Sequence, residues 1–403
     1  MPGPLAGYRV IDLTTMISGP LATMLLADQG ADVIKVENPA GGDGVRHGGN
    51  RRGDFSASFL NNNRNKRSVA LDLKHPQGIE ALLRLCADAD VFVQNFRPGV
   101  IERMGLGEDV VRAQRADIVY VSIAGFGFAG PYAHKPVYDP LIQAVSGLTT
   151  VQAGSDHERP RLVRTIVPDK VSALTAAQAI TAALLARERS GEGQHVRLAM
   201  LDAVVSFLWS SDMGGQTFVG DELPQQAAAS FIDLVYETAD GYLSVAVMSD
   251  REWAALCGVL QRPQWRDDPR FATRAARDRN LDERLALIQS VLLERPAREW
   301  LARLEAAGVP CAEVLTRNEM IAHPQIAANE TIVTTPHPYA GELRQARPAA
   351  RFSVTPPELR HGAPRLGEHT AEVLAEAGLD AAAIEGLAAA GVIGNDTAPA
   401  QPD

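Results

Sequence analysis

The sequence predicts an α/β protein whose larger domain is built on a parallel sheet. Three observations lead there. Short apolar runs alternate with stretches of helical length through the first part of the chain. The first two runs and the stretch between them span about 30 residues, the size of one β–α–β crossover. Loops rich in Gly, Pro or Asn follow the apolar runs, and in open α/β sheets such carboxyl-end loops carry the ligands.

Taken in order, residues 8–13 read as a buried strand. Gly19-Pro20 opens a helix over 21–29, and Gly30 suits its C-terminal cap. Residues 32–37 are the second strand and close the first crossover. Residues 68–73 predict a short strand. Residues 75–89 predict an amphipathic helix with Ile79, Leu82, Leu83 and Cys86 on one side. Residues 91–94 and 118–123 are further strands. An alanine-rich helix follows Val167-Pro168-Asp169-Lys170 and ends at Ser190-Gly191.

Composition bounds the function. A chain of 403 residues can bury a large core and is long enough for two domains. Hydrophobic content of 46% and charged content of 22% suit a globular chain. The net charge of −10 argues against a general nucleic-acid binder, while leaving room for a local basic pocket. Cys86, Cys257 and Cys311 lie far apart in apolar segments, show no metal-ligand spacing and read as core thiols of a reducing compartment. No apolar run reaches the roughly 18 residues of a membrane span. Met1-Pro2-Gly3-Pro4 has neither the charged nor the apolar region of a signal peptide, so a cytoplasmic protein is expected.

Four segments bear on the chemistry. The turn 14–20 imitates a dinucleotide site but contains one glycine, Gly19, where the fingerprint needs three. There is no Walker A sequence, so neither a nicotinamide nor a flavin is expected. The run Asn61-Asn62-Asn63-Arg64-Asn65-Lys66-Arg67 reads as a solvated turn or as an anion site. Asn95-Phe96-Arg97-Pro98-Gly99 follows a strand and sets an aromatic ring beside a cation, a pairing suited to adenine and phosphates; the plainer reading is a turn before a helix. Asp169 reads as an N-cap, or as a carboxylate kept ionised at a helix start and offered as a nucleophile.

Together these segments resemble the class III coenzyme A transferases, the family of formyl-CoA transferase and the carnitine CoA-transferases. The resemblance runs from Leu5-Ala6-Gly7-Tyr8-Arg9-Val10-Ile11-Asp12-Leu13 through Leu26-Ala27-Asp28-Gln29-Gly30-Ala31-Asp32 and Asn63-Arg64-Asn65-Lys66-Arg67-Ser68. It continues in Asn95-Phe96-Arg97-Pro98-Gly99, Arg103-Met104-Gly105, Gly125-Phe126-Gly127, Tyr138-Asp139, Gln143-Ala144 and Ser190-Gly191-Glu192-Gly193-Gln194. Gly308-Val309-Pro310-Cys311 and Leu366-Gly367-Glu368-His369-Thr370 complete it.

The resemblance implies a Rossmann-like large domain with a parallel sheet, a smaller inserted α+β domain, and two subunits threaded through each other as an interlocked homodimer. On that pattern residues 1–216 and 326–394 form the large domain, 217–325 the small domain with its linkers, and 395–403 a frayed tail. It implies acyl-CoA donor and carboxylic acid acceptor as partners, with no metal, nucleic acid or membrane. Asp169 matches the catalytic aspartate; Lys170 beside it adds a charge or points to solvent. The CoA contacts carried over are Ile17, Ser18, Asn38, Leu71, Lys74, Asn95, Phe96, Arg97 and Arg103, with Tyr138 near the acyl end. The plain alternatives are surface cations for Lys74 and Arg103 and a core tyrosine for Tyr138. Formyl-CoA transferases carry glutamine at the position of Ile17 and a glycine run matching 225–230; this chain has neither, so formate–oxalate exchange is not expected and a dicarboxylate pair with succinyl-CoA is. The competing activities are an α-methylacyl-CoA racemase, whose histidine position holds Tyr138 here with His134 nearest, and a noncatalytic CoA-binding protein.

Overall fold

The computed structural model describes residues 3–223 and 234–394. The expected loop 225–230 and tail 395–403 lie outside the described residues. Six short runs of mostly buried residues form one sheet: β1 (Arg9–Asp12), β2 (Asp32–Glu37), β3 (Lys66–Ala70), β4 (Val91–Gln94), β5 (Val119–Ala124) and β6 (His195–Ala199). Their spatial order is β3–β2–β1–β4–β5–β6, and every pairing is parallel. This is the doubly wound order, with its switch point between β1 and β4, where ligands of such sheets bind.

β2 and β4 coincide with their predicted spans because both are continuous buried runs. β3 begins two residues before the predicted strand. The run 61–67 is no solvated turn: it is divided between the helix Ala57–Asn63 and the start of β3. Its cations face inward. Arg64 Nη2 pairs with Asp28 Oδ2 at 2.7 Å and Lys66 Nζ with Asp12 Oδ2 at 2.9 Å. A lysine can enter a buried strand when its charge is matched this closely.

Helix α1 (Ser18–Asp28) packs along α3 (Val167–Ser190), the long alanine-rich helix; between them in sequence lies α2 (Asp139–Val145). Gly30, at φ 105°, supplies the left-handed residue that turns the chain from α1 into β2. The last part of the chain closes onto β3. Asn65 Oδ1 accepts the backbone N–H groups of Arg360 at 2.6 Å and His361 at 2.9 Å. Arg64 Nη1 donates to Ala346 O at 2.8 Å, and Ala70 N to Thr370 Oγ1 at 3.0 Å. Val373 and Leu374 join Ile11, Ile34 and Val69 in the main apolar core.

The chain divides into two compact units, Met1–Leu148 with Leu162–Ser210 and Asn329–Asp403, and Thr149–Arg161 with Ser211–Ala328. The second unit thus takes in 149–161, a segment the sequence reading leaves in the large domain. Its sheet has three antiparallel strands, Val235–Glu237, Tyr242–Val245 and Cys311–Glu313. Trp253, Leu256, Phe271, Ile288 and Trp300 fill its core. The helix Asp250–Val259 starts on a reciprocal cap between Ser249 and Glu252.

Candidate active site

The β1–α1 turn is held from every side. Thr14 donates to Asp12 Oδ1 through both its backbone N (2.9 Å) and its Oγ1 (2.5 Å). Lys35 Nζ donates to Thr14 O at 2.8 Å and pairs with Asp43 Oδ2 at 3.0 Å. Asn95 brackets Thr15: its Oδ1 accepts from Thr15 N at 3.0 Å and its Nδ2 donates to Thr15 O at 2.8 Å. Met16 N donates to Asp43 Oδ1 at 3.1 Å. These bonds hold Met16 at φ 69°, a left-handed conformation that costs a non-glycine residue about 1–2 kcal/mol. A Cβ on Gly19 would stand 2.3 Å from Thr14 Cβ, so only glycine lets α1 start this close to the turn.

This turn presents the backbone N–H of Ser18, one of the four unpartnered donors at a helix start. This N–H lies close enough to the Asp169 carboxylate to favour its charged form. Asp169 is the third residue of α3, not its cap; Ile166 occupies the cap position and makes no side-chain capping bond. The N-cap reading of Asp169 is therefore wrong, and its carboxylate faces α1 instead of its own helix. Asp139, the first residue of α2, accepts the Asp169 backbone N–H on Oδ2 at 3.3 Å. Gln143 Nε2, one turn along α2, donates to Asp139 Oδ1 at 2.6 Å and fixes that carboxylate. Burial first, and the Asp139 charge second, push the Asp169 pKa up to about 6, against the opposing pull of the Ser18 N–H. Lys170 donates to Thr165 Oγ1 at 2.7 Å and is exposed.

The remaining expected contacts are spread more widely. Ser18 is buried, and Ile17 is half-buried against Val45, Phe55, Phe59 and Leu60. Asn95 is engaged with Thr15, and Phe96 packs partly against the main core. Gln94 fixes that loop: its Oε1 accepts from Phe96 N at 2.8 Å while its Nε2 donates to Ser122 Oγ at 2.8 Å. Asn38, Lys74, Arg97 and Arg103 are exposed; Asn38 Oδ1 accepts from Ala40 N at 2.8 Å, and the Arg103 guanidinium folds back beside Gly99. Leu71 is a core residue at 1% exposure whose N–H donates to Glu37 O at 2.9 Å, so the expected contact of CoA with Leu71 is not available in this structure. Tyr138, 68% exposed, is not a core tyrosine; it caps α2, and His134 is exposed as well.

Sequence reasoning missed Asp139 as a member of the site and missed the Lys35–Asp43 pair that braces the turn. Asp139 and Gln143, four apart at a helix start, were the signal for the first; nothing local marks the second. Among the described residues no group of His, Cys, Asp and Glu is arranged to hold a metal, and no helix is long and apolar enough to cross a membrane.

The geometry agrees with comparison to known proteins. The model of CoA-transferase family III matches residues 5–370. The chain is 33% identical to the succinyl-CoA:glutarate CoA-transferase of Mus musculus, over 97% of this chain and 90% of the mouse protein. It is 34% identical to the formyl-CoA:oxalate CoA-transferase of Streptomyces avermitilis, over 98% of this chain and all (100%) of that protein. A solved CAIB/BAIF family protein from Brucella suis superposes with a TM-score of 0.82 at 31% identity, covering 94% of this chain and 100% of that one. With coverage this complete and a parallel α/β fold in common, the chain belongs to CoA-transferase family III and is a CoA-transferase that takes CoA thioesters as substrates.

Proposed function

We propose that this enzyme moves CoA between two small carboxylic acids with Asp169 as nucleophile. One observation carries the reading: a half-buried carboxylate of raised basicity that forms no ion pair among the described residues and lies by a helix-start N–H. At neutral pH such a group is mostly ionised yet more basic than an ordinary aspartate, which favours attack on a thioester.

The steps balance without ATP. An Asp169 oxygen attacks the donor thioester carbonyl, the C–S bond breaks and CoA leaves as thiolate, giving an acyl–aspartyl anhydride. The thiolate attacks the aspartyl carbonyl, releases the donor acid as carboxylate and leaves an enzyme–CoA thioester. The acceptor carboxylate displaces the thiolate to form a second anhydride. The thiolate then takes the acceptor acyl group and frees Asp169. Each oxyanion needs fixed donors, and the Ser18 N–H at the start of α1 is one. The CoA would lie across the carboxyl ends of β1 and β4, along Ile17, Ser18, Asn38, Lys74, Asn95, Phe96, Arg97 and Arg103, with the acyl end toward Tyr138. Support comes from the position of both loops at the switch point.

Relatives named for glutarate and oxalate point to short dicarboxylates as acids, with succinyl-CoA as the donor to try first. The near-equal identities to the glutarate and formyl/oxalate enzymes do not separate these substrates; the absence of glutamine at Ile17 favours the former. The test is transfer from succinyl-CoA to glutarate without ATP, run with ¹⁸O in the acceptor carboxylate. One label should pass into Asp169, because the acceptor oxygen bridges the second anhydride and stays with the enzyme. Deuterium entering the α-carbon of a 2-methylacyl-CoA in D₂O without CoA transfer would instead mark a racemase; neither reaction would mark a binding protein.

The interlocked homodimer belongs to the same proposal. It is supported by apolar side chains left open on the first unit, Leu174 and Leu185 on α3 at 60% and 53% exposure, and Phe207 and Trp209 on the helix Met200–Trp209. Linked chains cannot part without unfolding, so sedimentation at high dilution should show no folded monomer of 43.2 kDa.

A further inference from the structure

The second unit contains a cavity of about 70 Å³. Its lining combines apolar side chains, Val247, Met248 and Ile288 among them, with Tyr236 and three arginines, Arg274, Arg277 and Arg284, against a single carboxylate, Asp278. The arginines differ in their partners. Arg277 donates to Asp250 Oδ1 at 2.5 Å and to Phe271 O at 3.0 Å. Arg274 is exposed, with Asp278 Oδ2 3.9 Å from its Nε. Arg284 is only 7% exposed, and its Nε has no hydrogen-bond partner among the described residues.

A buried guanidinium N–H without an acceptor is unfavourable, and the group stays protonated because its intrinsic basicity is so high. Burial lowers the Arg284 pKa, an effect that a bound anion would reverse. Burial also pushes the Tyr236 phenol up to about 12, so that its hydroxyl remains a donor. A planar fork of N–H groups together with a phenol suits a carboxylate, and the apolar part of the lining suits a short alkyl chain. A cavity of about 70 Å³ restricts the occupant to a small molecule with a short chain.

We propose that this cavity is a binding site for a short-chain monocarboxylate, held by Arg284 through its carboxylate and by the Met248 and Ile288 wall through its chain. The site is separate in composition from the Asp169 site, all of whose residues belong to the first unit.

Calorimetric titration of the intact protein with butyrate, and with inorganic phosphate as a second probe, tests it. One butyrate should bind per chain, equally well in Asp169→Asn. Arg284→Leu should weaken binding at least tenfold, and Arg284→Lys should recover part of it. Phosphate should bind more weakly than butyrate. The proposal falls if butyrate does not bind, if Arg284→Leu binds it unchanged, if Asp169→Asn abolishes binding, or if phosphate is preferred. Should Arg284→Leu fail to fold, the unmutated protein still decides: butyrate must shield Arg284 from phenylglyoxal, read by peptide mass, and absence of shielding overturns the assignment.

Discussion

Asp12 and Asp169 lie on either side of the first turn of α1, and their surroundings drive them in opposite directions. Burial opposes ionisation at both. At Asp12 the charges of Lys66 and Lys35 and the hydroxyls of Thr14 and Thr23 outweigh it and hold the carboxyl well below its ordinary range. Asp169 has one backbone N–H and a second carboxylate, and its pKa rises to about 6. The number of compensating donors, more than depth, separates the structural carboxylate from the one we propose as nucleophile. The network around Asp12 also fixes the turn that offers Ser18 N–H, so the stable carboxylate positions the environment of the proposed nucleophile.

The largest effect should come from removing the reactive member. Asp169→Ala should lower kcat by about 10⁴-fold or more while leaving CoA binding intact, as expected for loss of a covalent nucleophile. Steady-state kinetics with a calorimetric CoA titration checks both halves, and substantial residual turnover would end the mechanism.

Damage to the structural member should register in stability. Lys66→Met leaves Asp12 buried without its closest cation and should cost about 3–5 kcal/mol in urea unfolding. Adding Asp12→Asn should return part of that loss. If the double variant is no more stable than the single one, charge matching is not what holds the turn.

The influence of Asp139 on Asp169 should register in the pH profile. Because Asp169 must be ionised to attack, kcat/KM should fall as pH drops through about 6. Asp139→Asn removes one of the two causes that raise Asp169, so the acid limb should move to lower pH, though burial keeps it above the ordinary value. An unmoved limb would remove Asp139 from the account.

The smallest effect is a gain. A carboxyl with a raised folded pKa binds protons more tightly in the native state than unfolded, so its destabilising contribution is absent below the unfolded value of 3.8 and complete above about 6. Asp169→Asn should therefore stabilise the inactive protein at neutral pH by on the order of 1–2 kcal/mol, allowing for partial solvent screening. The gain should vanish in acid. A uniform gain across pH would point to packing.

Much of the first sheet was legible because β2 and β4 are apolar runs bounded by Gly, Pro or Asn. The start of β3 was not, since Lys66 resembles a loop residue until Asp12 is seen opposite it. β6, with its half-buried pattern at the sheet edge, carries little apolar signal. Asp169 was legible through the order of surrounding motifs. Its pairing with Ser18 and Asp139 was not, because three elements distant in sequence must meet before the carboxylate has an environment.

The clasp of β3 by the end of the chain sets a schedule for biosynthesis. Asn65 leaves the ribosome long before Arg360 and His361 exist to satisfy it. At translation rates of about 5–20 residues per second, the interval is on the order of 15–60 s. During that time the buried polar edge at Arg64 and Asn65 must remain solvated or shielded by a chaperone. Ribosome-arrested chains ending before Ala346 should be cut by protease near β3, and full-length chains should resist; equal resistance in both would show that the first unit closes without its last segment.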